Sequence, residues 1–150
     1  MADAGKPTDW IKMKIDPEIF EELGVRDPEE TKREMAITKK TRQVNKELKA
    51  DPNNLDLQVE LATLMIDGAS YEDAIKMLMA IRNKRPKDAK VYKLLGTAYV
   101  LFNHEEEAML EMNRACELDP SDAENHFNLG GLYLLRDMYS NAATSFEKVI

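Results

Sequence analysis

The sequence repeats itself at a fixed step. Pro52, Pro86 and Pro120 are evenly spaced and mark this repeat step, and each of them follows a charged residue. Side chains of the type that caps helix N-termini recur two residues after each proline, at Asn54, Asp88 and Asp122. A repeat of this length is one supersecondary unit that cannot bury its apolar face alone, so neighbouring units must stack into one core.

Apolar and small residues follow the same step, and inside each unit they are spaced by three, four or seven residues. Such spacing predicts helices rather than strands. A break recurs mid-unit, at residues 67–70, 102–104 and 136–138, so each unit predicts a helix, a short turn and a second helix. The repeat columns expected to pack the units together contain Leu61, Leu95, Gly96, Tyr99, Ala108, Pro120, Leu129, Gly130, Tyr133, Ala142 and Phe146.

These columns resemble the tetratricopeptide repeat (TPR) family. The family pattern places Leu-Gly and then Tyr on the first helix, followed by Ala, an aromatic residue and Ala on the second. The third unit shows most of this pattern with Leu129-Gly130, Tyr133, Ala142 and Phe146. The resemblance covers residues 55–150. It implies an all-α fold, a right-handed α-solenoid of three helix-turn-helix repeats with the last one truncated, preceded by an N-terminal capping helix.

The chain is expected to have three segments. Residues 1–28 form an N-terminal docking segment or tail, residues 29–51 the capping helix, and residues 52–150 the repeat domain. The repeat units fall at about 55–88, 89–122 and 123–150. Because the last unit stops inside its second helix, we expect a fragment of a longer protein, with an uncovered C-terminal apolar edge that favours self-association.

The capping helix is predicted from a start signal and a narrow stripe. Pro28 with acidic neighbours is typical of a first helical turn. The stripe of Ile37, Thr41, Val44 and Leu48 can cover the exposed face of the first repeat.

Composition restricts the partners. The net charge is −7, which argues against a nucleic-acid partner. No apolar run approaches the roughly 20 residues that a bilayer span needs, so no membrane partner is expected. A single cysteine and the lack of a signal-like start favour a cytoplasmic location.

No residue constellation predicts chemistry. Cys116 falls on a packed second helix, which favours an inert thiol. His104 and His126 lie on different elements, so neither predicts a metal site. We therefore expect a non-enzymatic protein with no catalytic, metal or cofactor-binding residues, whose partner is a protein or a peptide.

The resemblance to TPR proteins implies that the first helices line a concave groove. Many of its positions are large and apolar, which favours an amphipathic helix or an extended apolar peptide as the ligand. The expected function is that of an adaptor or scaffold. The residues expected to line the groove are Val59, Ile66, Lys90, Lys93, Val100, Leu101, Phe127, Leu134 and Leu135.

Alternative functions remain open at this point. The chain would also suit a small TPR chaperone for an unfolded segment. A structural assembly subunit would instead fill the groove with its own N-terminus, using Trp10, Ile19 and Phe20. TPR proteins that hold chaperone tails use an Asn where this chain has Thr97, so that variant fits poorly.

Overall fold

The computed structural model describes Glu18 and residues 22–150, and within these residues all regular structure is helical. The predicted all-α class is therefore confirmed. The seven helices of the described part are α1 (Pro28–Ala50), α2 (Leu55–Asp67), α3 (Tyr71–Lys84), α4 (Ala89–Leu101), α5 (Glu105–Leu118), α6 (Ala123–Leu135) and α7 (Tyr139–Glu147).

The chain divides into two compact units, Met1–Lys40 and Thr41–Ile150. Helix α1 contributes residues to both. In the first unit, α1 begins at Pro28, one residue before the predicted start, and the Asp27 carboxylate accepts a hydrogen bond of 2.9 Å from the backbone N–H of Glu29. The division into three segments made from the sequence remains a prediction.

The second unit contains three helical hairpins that follow one another along the chain. We call α2–α3 the first repeat, α4–α5 the second and α6–α7 the third. The predicted N-caps are confirmed, because the Asn54, Asp88 and Asp122 side chains each accept a backbone N–H bond in the first turn of α2, α4 and α6.

The turn inside each hairpin recurs with the same step as the prolines. Ala69, Asn103 and Asp137 have φ angles of 62°, 60° and 56°, the left-handed conformation that reverses a chain after a helix. These turns coincide with the breaks predicted from the sequence.

The core lies between successive hairpins. Leu78, Ile81, Val91 and Leu95 are fully buried where the first repeat packs on α4. Equivalent columns continue into the third repeat, where Leu129 is 4% exposed.

The small residues and the capping helix complete this packing. The column residues Ala108 and Ala142 are buried between helices. At the other end of the second unit, Val44 and Leu48 of α1 pack against Leu61, which is the contact expected of a capping helix.

Candidate functional site: a groove cavity and a polar cleft on opposite faces of α6

A cavity of about 550 Å³ lies between α4 and α6, with its floor on α5. We call it the groove cavity. Its lining residues are Thr97, Val100, Leu101, Met112, Glu124, Phe127, Asn128, Gly131, Leu132 and Leu135.

Four of the predicted groove residues meet at this cavity. They are Val100, Leu101, Phe127 and Leu135. Phe127 is 59% exposed and Leu135 is 64% exposed, so large apolar surfaces face solvent at its mouth. Leu134 is 46% exposed but does not line the cavity.

Two predicted groove residues belong to the core instead. Val59 is 6% exposed and Ile66 is 8% exposed, and both pack into the apolar cluster between the first repeat and α4. This corrects their assignment. Because α4 stacks on the first repeat, these columns are covered there, and a partner cannot reach them.

Lys90 and Lys93 line a different, smaller cavity at the start of α4. The Lys93 ammonium donates to Asp122 at 3.5 Å and to the Glu124 carboxylate. Burial acts to lower the pKa of Lys93, but the bond to Glu124 and the charge of Asp122 outweigh it, so the pKa lies above its ordinary value. Lys93 is thus already neutralised by acidic residues of this chain.

Two adjacent glycines of α6 have opposite surroundings. A Cβ atom placed on Gly130 would lie 2.6 Å from Cε1 of Phe146, which is closer than real contacts allow. A Cβ atom placed on Gly131 would meet nothing within 4 Å, and this glycine lines the groove cavity. Packing therefore explains Gly130, whereas the packing of the fold does not require Gly131.

A second cavity, of about 540 Å³, opens on the other face of α6, between α5 and α7. We call it the polar cleft. Its lining residues are Asn113, Cys116, Glu117, Pro120, His126, Leu129, Tyr133, Ser140, Asn141, Thr144, Ser145 and Lys148. The sequence pattern did not predict a site here, although Cys116 and His126 line it.

The half-buried Cys116 thiol sits in this cleft. Burial raises its pKa, and the charge of Lys148 acts in the opposite direction. His126 is 4% exposed, and its Nε2 donates to the carbonyl oxygen of Pro120 at 2.8 Å. Because a carbonyl oxygen can only accept, this bond requires a hydrogen on Nε2 of His126.

His104 lies elsewhere. Its ring stacks on Phe102 with the ring centroids 4.8 Å apart, and its Nδ1 lies 3.6 Å from Oε1 of Glu107. Among the described residues, no group of three or more His, Cys, Asp or Glu side chains is arranged to hold a metal ion. The same residues include no helix with the length and apolar character of a membrane span.

The N-terminal residues expected to fill the groove are Trp10, Ile19 and Phe20. They lie outside the described residues, so their docking in the groove remains a prediction.

Residues 45–98 match the tetratricopeptide repeat family. The match agrees with the helical hairpins and with the resemblance found in the sequence. The matched family is a repeat family and not a catalytic one.

Two curated relatives share this region. Hsp70-Hsp90 organizing protein 2 of Arabidopsis thaliana is 23% identical over 123 residues, which cover 82% of this chain and 22% of that protein. Peroxisome biogenesis protein 5 of Arabidopsis thaliana is 32% identical over 100 residues, which cover 65% of this chain and 13% of that protein. The chain thus spans less than a quarter of the length of either relative.

Solved structures of MamA have the same fold. One MamA crystal structure is 28% identical with a TM-score of 0.70, covering 83% of this chain and 71% of that one. A fragment from residue 41 to the end of MamA from Desulfovibrio magneticus RS-1 is also 28% identical, with a TM-score of 0.68 and coverage of 94% and 80%. The fold and these relatives together support a protein–protein interaction module.

Proposed function

We propose that the groove cavity binds a polypeptide segment that inserts a bulky apolar side chain beside Gly131. The protein then acts as a non-enzymatic adaptor or scaffold. The observation that carries this proposal is the open space above Gly131, at a helix position where glycine costs about 1 kcal/mol relative to alanine. A residue that weakens the helix without a packing reason is consistent with keeping a binding surface open.

The exposed apolar rim supports the same ligand. Phe127 and Leu101 are 59% and 46% exposed at the cavity mouth, and buried aromatic and aliphatic anchors dominate most binding energies. Among the described residues that line the cavity, only Glu124 is charged, and it is occupied by Lys93. An apolar side chain therefore fits this lining better than a charged one.

The names of the relatives refer to chaperone organisation and to peroxisome biogenesis. The groove of this chain gives no support for either role. A clamp for a C-terminal carboxylate would need free cations in the groove. Lys93 is instead paired with Asp122 and Glu124, which disfavours a chaperone-tail ligand. A cytoplasmic location is part of our proposal.

A peptide library displayed on phage provides a direct test. We expect panning against the wild-type chain to enrich peptides that contain Leu, Met, Phe or Trp. Gly131→Leu fills the cavity without touching the core, and should reduce the affinity of the enriched peptides at least about tenfold, a loss of about 1.4 kcal/mol. Ala80→Leu is the matched control, because it adds the same side chain at an exposed position of α3.

The outcome that would contradict the proposal is equal binding by the wild-type chain and Gly131→Leu, with both shown to be folded by circular dichroism. Deletion of residues 1–24 forms a second arm of the experiment. If the N-terminal segment occupies the groove in the free chain, the deletion should raise peptide affinity, because self-occupancy reduces the fraction able to bind.

A further inference from the structure

The polar cleft is separate from the groove cavity. His126, Leu129 and Tyr133 of α6 line the cleft, whereas Phe127, Gly131 and Leu135 line the groove cavity. At about 100° per residue these two sets lie on opposite sides of the helix. A ligand of the cleft therefore leaves the groove cavity free.

The preceding repeat shows what normally occupies this space. One repeat step earlier, Arg82 stands at the position of Cys116, and Glu111 stands at the position of Ser145. Arg82 and Glu111 form an ion pair between α3 and α5, with side chains only 26% and 12% exposed. In the next repeat both members of the pair are replaced by short residues, so the corresponding space between α5 and α7 is open.

The backbone frame around the cleft is otherwise the same. Tyr92 donates to the Pro86 carbonyl at 2.8 Å, and His126 donates to the Pro120 carbonyl at the same distance one repeat later. The cleft is therefore the equivalent of the space that Arg82 and Glu111 fill in the preceding repeat, with short residues in their place.

Polar groups in the cleft have unused hydrogen-bonding capacity. Ser145 is only 5% exposed, and it lines the cleft. Lys148 lines the same cleft, is exposed, and takes part in none of the ion pairs of the described residues. Asn113 and Asn141 add amide N–H donors, so the groups facing the cleft include an ammonium, a hydroxyl and two amides.

The acidic groups near the cleft are already engaged. Glu117 lines it, and its carboxylate accepts from Arg114 at 2.9 Å. Asp119, which adjoins a lining residue, accepts from the Ser121 hydroxyl at 2.7 Å. Lys148 is thus the charged group of the cleft that lacks a counter-charge among the described residues.

We propose that the polar cleft is a second binding site, which takes a small organic acid with its carboxylate on Lys148 and the Ser145 hydroxyl. The apolar part of the ligand rests on Leu129 and the ring of Tyr133. An ammonium and neutral hydrogen-bond donors suit a carboxylate, because charge-assisted bonds to it are the strong ones. The ligand replaces the carboxylate of Glu111 that the preceding repeat supplies from its own chain.

The single cysteine of the chain allows a direct experiment, because Cys116 lies in the cleft. The protein is equilibrated with equal amounts of three symmetric disulfides in thiol buffer: 3,3′-dithiodipropionate, bis(2-hydroxyethyl) disulfide and cystamine. The Cys116 thiolate attacks one sulfur, forms a mixed disulfide and releases the other half as a thiolate. The adducts differ only in their end group, a carboxylate, a hydroxyl or an ammonium, and intact-protein mass spectrometry measures their proportions.

We expect the ratio of carboxylate adduct to hydroxyl adduct to be about fivefold higher in the folded protein than in urea-unfolded protein. One partly solvated charge pair would give a difference of this size. Lys148→Gln should abolish this preference. Gly131→Leu should leave it unchanged, which separates this test from that of the groove. Three results would each overturn the proposal. They are equal amounts of the carboxylate and hydroxyl adducts, a preference for the ammonium adduct, and a carboxylate preference that persists in Lys148→Gln.

Discussion

The two junctions between successive repeats use the same columns in different ways. At the first junction, Ile81 and Val91 are fully buried, and an ion pair between Arg82 and Glu111 spans α3 and α5. At the second junction, Ala115 stands in the column of Ile81, and Asn125 stands in the column of Val91. Both the groove cavity and the polar cleft adjoin this second junction.

The difference teaches which columns determine the fold and which are free to vary. Leu95 and Leu129 are buried at both junctions, as are the small residues Gly96 and Gly130 on the same helices. The positions that differ have instead lost bulk or gained polarity at the second junction. A repeat protein can exchange core volume for binding surface in this way, because each repeat contacts only its neighbours.

Asn125 is a buried polar residue of the second junction, where His126 and Ser145 are also buried. It is 1% exposed, and its Oδ1 has no hydrogen-bond partner among the described residues. A buried acceptor without a partner costs about 1–3 kcal/mol. The second junction is therefore expected to open more easily than the first.

The largest expected effect comes from adding a side chain at Gly130. Gly130→Leu should reduce the free energy of unfolding by about 3 kcal/mol, because its side chain would overlap the ring of Phe146. Urea titration measures the loss. Gly131→Leu is the matched control one residue along the helix, and it should be at least as stable as the wild type, because its side chain meets no neighbour and glycine weakens a helix. Equal stability of the two variants would show that the assignment of the α6 faces is wrong.

A smaller effect is expected from breaking the ion pair of the first junction. Arg82→Met should cost about 2 kcal/mol at neutral pH, because it leaves the carboxylate of Glu111 half-buried and unpaired. Urea titration again measures the loss. The exposed pair of Lys76 and Glu72 provides the control, and Lys76→Met should leave the free energy of unfolding almost unchanged, because water screens this pair.

The cost of Arg82→Met should depend on pH. Burial raises the pKa of Glu111, and Arg82 acts in the opposite direction. Without Arg82, the folded-state pKa should rise further above the unfolded value. The penalty is then absent below the unfolded pKa and appears as the pH rises through the folded pKa, so acidification toward about pH 5 should narrow the difference from wild type. A penalty that grows on acidification would contradict this account.

The smallest effect is a gain. Asn125→Val should stabilise the protein by about 1 kcal/mol, because it replaces an unpartnered amide by the residue that the first junction has at this column. The reverse exchange, Val91→Asn, should destabilise by at least as much. Hydrogen exchange should show slower opening of α6 and α7 in Asn125→Val. If both exchanges leave stability unchanged, the two junctions do not differ in the way described.

Much of the fold could be predicted from the sequence because its signals are local and repeated. The helix caps and the turn inside each hairpin depend on side chains within a few residues. The same signals recur in every repeat, with the caps at Asn54, Asp88 and Asp122. The groove was predicted only in part, because some of its expected residues line the cavity while Val59 and Ile66 are core.

The sequence also contains a signal for the polar cleft. The change from Arg82 to Cys116 and from Glu111 to Ser145 is visible in the alignment of the repeats. The sequence alone does not show that Arg82 pairs with Glu111, because these residues are 29 positions apart. They meet only when α3 and α5 pack side by side.

The sequence by itself determined the helical hairpins, their period and the residues that pack them, because helix spacing and capping act over a few residues. Only the tertiary structure decided which apolar columns are covered and which remain exposed. The stacking of α4 on the first repeat buries Val59, whereas Phe127 in the same column of the third repeat is 59% exposed. Equivalent sequence positions thus have different surroundings, because exposure depends on which helix packs next.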